Sequence, residues 1–253
     1  MTTFTTLITG ASSGLGAELA RQSAALGHDL ALCARRTERL AELSAEITAS
    51  HPGVTVRTYA LDVTDPGAVR TVFRRADGET DGGLDRVVVN AGLGKGRKIG
   101  SGRPEANRET ATTNALGALA QAEAAMEIFR AKNTGHLVLV SSVTALRGNR
   151  KAMTTYGATK AFVANMGEGL QSELLASGVP VDVTVLLPGY IRSEMNEKVE
   201  QKTRFMVDTR TGVRSMMAAI EARKRRSLVP GWPWRLIGPL LRVLPLKVVS
   251  KLV

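Results

Sequence analysis

The 253 residues are 43% apolar with a single cysteine, enough to bury one substantial core and too few thiols for a disulfide framework. The formal charge is +11, yet the bases come without a zinc-finger, basic-zipper or aromatic ribonucleoprotein pattern, so nucleic-acid binding would rest on charge alone and is not expected. No uncharged apolar run of about 18 residues occurs, and the N-terminus enters a strand pattern with no basic stretch or cleavage site, so neither a spanning helix nor export is expected and the expected location is the cytoplasm.

Taken in chain order, short apolar runs alternate with helical patterns. Strands are expected near 4–9, 29–34, 54–60, 84–89, 136–141, 181–187 and 227–230. Between them lie helical stretches: the segment after Gly10 with Leu15, Leu19 and Leu26, the segment 37–50 with Leu40, Leu43 and Ile47, a helix opened by Asp65-Pro66, a long segment around 104–132, and 152–176. The pattern predicts an α/β fold over residues 1–253: one Rossmann-type, doubly wound parallel sheet with helices on both faces. Ligands in such sheets collect outside the carboxyl ends of the strands. Thr9, Arg35, Asp62, Asn90, Ser142 and Pro188 all fall near those ends.

The first strand runs into TGASSGLG at 9–16. Gly10 allows a tight turn, Gly14 close approach of a phosphate-bearing ligand, and Gly16 close helix packing. The N-terminus of the following helix offers unpaired N–H donors and a favourable dipole to a pyrophosphate. The spacing is not that of a Walker A loop, because no Gly-Lys-Ser/Thr closes it, so a nucleoside triphosphatase is not expected.

The second strand ends in Ala34-Arg35-Arg36, with no carboxylate before Glu38. An acid there would accept from a free ribose hydroxyl, whereas arginine neutralises a 2′-phosphate, so NADP(H) is expected over NAD(H) and a methyltransferase is disfavoured. After the third strand, Asp62 is placed to reach an adenine amino group and Val63 the ring.

Tyr156 and Lys160 sit one helical turn apart and share a face. A phenol titrates near about 10, and an ammonium beside it favours the phenolate, which makes Tyr156 a candidate acid/base. Cys33, in the apolar run DLALCA, reads as a buried small hydrophobe, and His136 as a strand-entry residue. His28, His51 and His136 lack ligand spacing, so no metal site is expected.

Together these motifs resemble the short-chain dehydrogenase/reductase family over roughly residues 4–230. Thr9, Gly10, Ser12, Ser13, Gly14, Leu15 and Gly16 are similar to its cofactor motif, and Asn90, Ala91 and Gly92 to the motif after its fourth strand. Asn114, Ser142, Tyr156 and Lys160 resemble its catalytic tetrad, and Pro188, Gly189, Ile191 and Ser193 the segment that meets the nicotinamide amide. The resemblance implies that Ser142 orients a substrate carbonyl, Tyr156 donates the proton, Lys160 lowers the phenol pKa and holds the nicotinamide ribose, and Asn114 keeps a helix open for a water. Two departures stand out. Ser142 and Tyr156 are fourteen positions apart, one more than usual, which places an inserted residue in 146–151; and Val89 precedes Asn90 where the family has a second asparagine.

The resemblance also makes 190–225 the substrate lid. Tyr190, Ile191, Met195, Phe205 and Met206 are candidates for an apolar pocket, and Asp208 or Thr209 is expected to cap a helix carrying Val213, Met216, Met217 and Ile220. Residues 231–253 form an apolar extension interrupted by Arg235, Arg242, Lys247 and Lys251, with Pro239 and Pro245 breaking it. Internal packing and peripheral membrane contact, with Trp232 and Trp234 at the interface, both fit it. The expected activity is NADPH-dependent reduction of a carbonyl on a hydrophobic substrate by a homodimer or homotetramer paired through 104–132 and 152–176. An NAD-linked alcohol or hydroxysteroid-type dehydrogenase and a catalytically silent cofactor-binding sensor or scaffold are the alternatives.

Overall fold

The computed structural model describes residues 4–192, 194 and 205–252. Seven strands form one all-parallel sheet: β1 (Thr5–Thr9), β2 (Asp29–Ala34), β3 (Val56–Ala60), β4 (Arg86–Val89), β5 (Gly135–Val140), β6 (Val181–Pro188) and β7 (Arg226–Val229). Their spatial order is β3-β2-β1-β4-β5-β6-β7. Every residue of β1, β2, β4 and β5 is buried, as expected of parallel strands covered on both faces, and this explains their unbroken apolar runs.

The helices divide between the faces. α1 (Gly14–Ala25), α2 (Thr37–Ser50) and α7 (Thr209–Glu221) cover one side with Leu19, Leu40 and Met216. α3 (Pro66–Gly78), α5 (Gly117–Lys132) and α6 (Met153–Ser177) cover the other with Phe73, Phe129 and Val163. The expected caps form: Asp65 accepts from the Ala68 N–H at 3.0 Å, with Pro66 as the first residue of α3. Of the two residues offered for α7, Asp208 does the capping, accepting from the Thr211 N–H at 2.9 Å.

Cys33 is buried in β2, and burial pushes its thiol up. His136 is enclosed at the start of β5, where Arg86 donates to Nδ1 at 3.0 Å and Thr184 Oγ1 lies 2.9 Å from Nε2. Burial, then the nearby Arg86 and Arg223, push its pKa down to about 3, so the ring is neutral and structural.

Two stretches are more finely divided than the sequence suggests. The 104–132 segment is α4 (Pro104–Ala111), a π-helical turn (Thr112–Leu116) and α5. The C-terminal stretch forms α8 (Gly231–Val243) and α9 (Leu246–Leu252). Pro239 lies inside α8, which is kinked at the extended residue Trp232, and Leu244-Pro245 separates α8 from α9. No described helix is long and apolar enough to cross a membrane.

Candidate active site

The strand order reverses between β1 and β4, opening a crevice at their carboxyl ends. Gly10 turns the chain out of β1 at φ +66°, and a Cβ there would sit 2.9 Å from Ala91 Cα. A Cβ on Gly16 would overlap the Gly10 carbonyl, so only glycine lets α1 seat against the turn. Ser13, Gly14 and Leu15 then present the start of α1, which has neither a side-chain cap nor an acid in its first turn. That is a cradle suited to a dinucleotide pyrophosphate.

Thr9 and Asn90 hold this cradle from below. The Thr9 hydroxyl accepts from the Asn90 and Ala91 N–H groups, both at 3.1 Å, and Asn90 Nδ2 donates to the Thr9 carbonyl at 2.9 Å. Thr9 is 0% exposed, and its hydroxyl positions the 90–92 loop. Val63 is likewise buried, with its side chain against Gly117 at the start of α5.

At the end of β2 the two arginines diverge. Arg36 turns inward, donating from Nε to Ser12 Oγ at 3.2 Å and from Nη2 to Ser13 Oγ at 2.6 Å. Arg35 lies outward, 3.8 Å from Asp62, whose carboxylate accepts from the Thr64 N–H at 3.0 Å. Those Thr64 and Arg35 contacts hold Asp62 below its usual range against the opposing effect of burial. Arg39 and Glu194, not singled out in the sequence, join here. Glu194 accepts from Arg36 at 3.2 Å and also from Arg39. Burial pushes the Glu194 carboxyl up, but Arg39, Ser13 and Arg36 together outweigh it and hold it below the usual range. Arg39 lies in the first turn of α2, just after Arg36 at its N-cap.

Across the crevice, β5 delivers Ser141 and Ser142. The Ser141 hydroxyl donates to the Lys160 carbonyl at 2.7 Å and is structural. Ser142 accepts from the Thr144 N–H at 3.2 Å and lies beside Tyr156, where its hydroxyl favours the phenolate. The longer connection between them is absorbed by a turn in which Asn149 Nδ2 donates to the Thr144 and Arg147 carbonyls, both at 2.8 Å, and Lys151 takes φ +57°.

Tyr156 and Lys160 share a face of α6, with Nζ 5.8 Å from the ring centroid. Lys160 is 5% exposed and donates to the Val140 carbonyl at 2.9 Å. Burial pulls its pKa down to about 8. Burial also pushes the Tyr156 phenol up to about 12, opposed only by the neighbouring Ser142 hydroxyl. The expected lowering of the phenol by Lys160 is therefore not seen in this geometry, because desolvation dominates and the ammonium is directed at Val140.

Asn114 occupies the π-helical turn. Its Oδ1 accepts from the Leu93 N–H at 2.7 Å, and its Nδ2 donates to the Leu93 carbonyl at 2.8 Å and to Thr159 Oγ1 at 3.3 Å. A Cβ on Gly92 would lie 3.3 Å from Asn114 Oδ1 and 3.5 Å from Lys160 Nζ, so loop, amide and ammonium converge. Asn114 is a positioning residue, tied to the 90–93 loop and to α6.

Pro188 and Gly189 close β6, and the Gly189 N–H donates to Val229 at 2.8 Å. Ile191 packs its side chain on Gly212 of α7, within the core. Tyr190 and Met206 are half-buried and Phe205 is exposed. Ser193 and Met195 lie outside the described residues.

The family model described as short chain dehydrogenase matches residues 5–204. An uncharacterised oxidoreductase of Mycobacterium tuberculosis is 49% identical over 239 residues, covering 94% of this chain and 93% of that protein. A short-chain dehydrogenase from Sphingobium yanoikuyae, solved in complex with NADPH, is 28% identical, with a TM-score of 0.81 over 96% of this chain and 97% of the other. A short-chain dehydrogenase/reductase from Burkholderia phymatum, solved in complex with NAD, shares the fold at 22% identity, with a TM-score of 0.82 over 94% and 92% of the two chains. With the match reaching from β1 past the end of β6, the chain belongs to the short-chain dehydrogenase/reductase family of oxidoreductases.

Proposed function

We propose that the protein is an NADPH-dependent reductase of a carbonyl group on a hydrophobic small molecule. The observation that carries the reading is the convergence of Ser142, Tyr156 and Lys160 beside a glycine cradle built for a dinucleotide. Arg36, bonded to both serines of that cradle and flanked by Arg39, supports the 2′-phosphorylated cofactor. Asp62 and the 90–92 loop would frame the adenine and ribose sides, and Pro188, Gly189 and Ile191 the nicotinamide side, with Ser193 assigned there by its place in the sequence alone.

Bound NADPH supplies the hydride. Ser142 hydrogen-bonds the carbonyl oxygen and fixes its approach, and Tyr156 gives its proton to that oxygen as negative charge grows there. A phenol raised to about 12 keeps its proton at neutral pH, as a donor must. Lys160 would hold the nicotinamide ribose hydroxyls, and Asn114 would keep the π-helical turn open beside it for a water.

Residues 190–225 act as the substrate lid, with Tyr190 and Met206 facing the apolar end of the substrate. The 1–253 chain works as one cytoplasmic domain. Leu116, Leu119, Phe162 and Leu175, exposed on and beside α5 and α6, support pairing through those helices into a dimer or tetramer.

The test is a panel of ketones and aldehydes, from small polar to long-chain and polycyclic, with loss of reduced cofactor followed optically. Turnover with NADPH in preference to NADH, and loss of that preference in Arg36→Ala, are expected. Equal use of both cofactors would favour the NAD-linked reading. Tight cofactor binding with no turnover across the panel would favour a silent binding protein.

A further inference from the structure

The C-terminal helices carry an outward face that the catalytic reading leaves unexplained. α8 turns Pro233, Trp234, Gly238 and Leu241 inward. Outward it presents Leu236, Leu240 and Val243 at helical spacing, the last 78% exposed, and just ahead of them the extended residue Trp232 is 73% exposed. Leu246 and Val248 of α9 add to the exposed apolar set. Arg235, Arg242 and Lys247 are exposed on the same two helices, and the sequence contains no Asp or Glu after Glu221.

We propose that this face docks on an anionic lipid bilayer. An apolar stripe edged by cations, led by an exposed tryptophan, complements an interface in which acyl chains lie under negatively charged headgroups. A second copy fits less well: a two-fold interface would set Arg235, Arg242 and Lys247 against themselves with no acid on the segment to offset them.

Docking there also orients the catalytic cleft. Trp234 packs against Gly189 and meets the Tyr190 ring edge-on at 5.4 Å. A Cβ on Gly238 would lie 3.2 Å from Leu146, and Arg147 donates to the Leu244 carbonyl at 3.2 Å. The docking helices thus touch both walls of the substrate side, the segment following Ser142 and the end of β6. A bilayer on their outer face brings the cleft within reach of membrane-borne carbonyl lipids. That last consequence rests on the carbonyl reading; the docking does not.

Flotation of the full chain with phosphatidylcholine vesicles, with and without phosphatidylglycerol, tests it. Binding to the anionic vesicles is expected, weakened by salt and at least about tenfold weaker on pure phosphatidylcholine. The triple variant Trp232→Ser/Leu236→Ser/Leu240→Ser, altered only at exposed positions, is expected to lose it. The chain has two tryptophans, and Trp234 is only 5% exposed, so a blue shift and quenching by brominated lipid report on Trp232 without any substitution. No binding, binding unaltered in the triple variant, or a homo-oligomer that dissociates in that variant would overturn the proposal. Flotation without carbonyl turnover would leave docking intact and sink only the carbonyl reading.

Discussion

Lys160 carries a cost that the rest of α6 does not. With its pKa drawn from 10.5 to about 8, it is charged in both folded and unfolded chains below about pH 8, and its burial then lowers stability. Between those two values only the unfolded chain holds the proton, so stability rises with pH through that window. Lys160→Met lacks this slope. The Tm of the variant minus that of the wild type should therefore fall as pH rises from about 8 to about 10, by calorimetry; a constant difference would place the ammonium in solvent. Glu194 makes a second residue-scale prediction, because its carboxylate already engages Arg36 and Arg39, the groups proposed to meet a 2′-phosphate. Glu194→Gln should bind NADPH roughly threefold more tightly, as expected for a partly exposed charge pair, with NADH nearly unchanged in a fluorescence titration. Equal effects on both cofactors would place the 2′-phosphate elsewhere. The sequence pointed to Tyr156, Lys160 and Arg36 because local spacing fixes their faces. It gave no sign of Glu194, whose partners are more than 150 positions away, nor that the Thr9 hydroxyl is used 81 positions on, at Asn90.

Element boundaries were legible wherever burial on both faces produces an unbroken apolar run, as in β2 and β5. They were less so where a helix changes pitch. Nothing in the composition of 104–132 announces five residues of π-helix; the turn exists because Asn114 turns inward and takes both backbone groups of Leu93. Asn114→Ala leaves that N–H and carbonyl without their partner, at a cost of about 1–3 kcal/mol. Thermal unfolding should show this loss. Turnover should drop roughly tenfold to a hundredfold through misplacement of α6 against the 90–93 loop, with smaller change in NADPH affinity. A stable variant with normal turnover would remove the π-helical turn from the account. Pro239 teaches the converse, since a residue expected to break the C-terminal stretch is carried within α8.

At the scale of the whole molecule, the parallel order β3-β2-β1-β4-β5-β6-β7 gathers strand ends from distant parts of the sequence into one crevice. The fold class and most of the cleft followed from that repetition; the outward faces did not, because periodicity shows which side of a helix is apolar but not what covers it. Phe162 is 40% exposed on α6. If that face pairs two chains, light scattering should give a multiple of the chain mass, and Phe162→Glu should give monomer; an unchanged assembly would move the interface elsewhere. The central claim, that the phenol of Tyr156 is the proton donor in a nicotinamide-dependent reduction, is tested most directly by Tyr156→Phe on a ketone that the wild type reduces. The account predicts NADPH binding close to wild type and turnover lower by about a thousandfold. Wild-type turnover in this variant would contradict it.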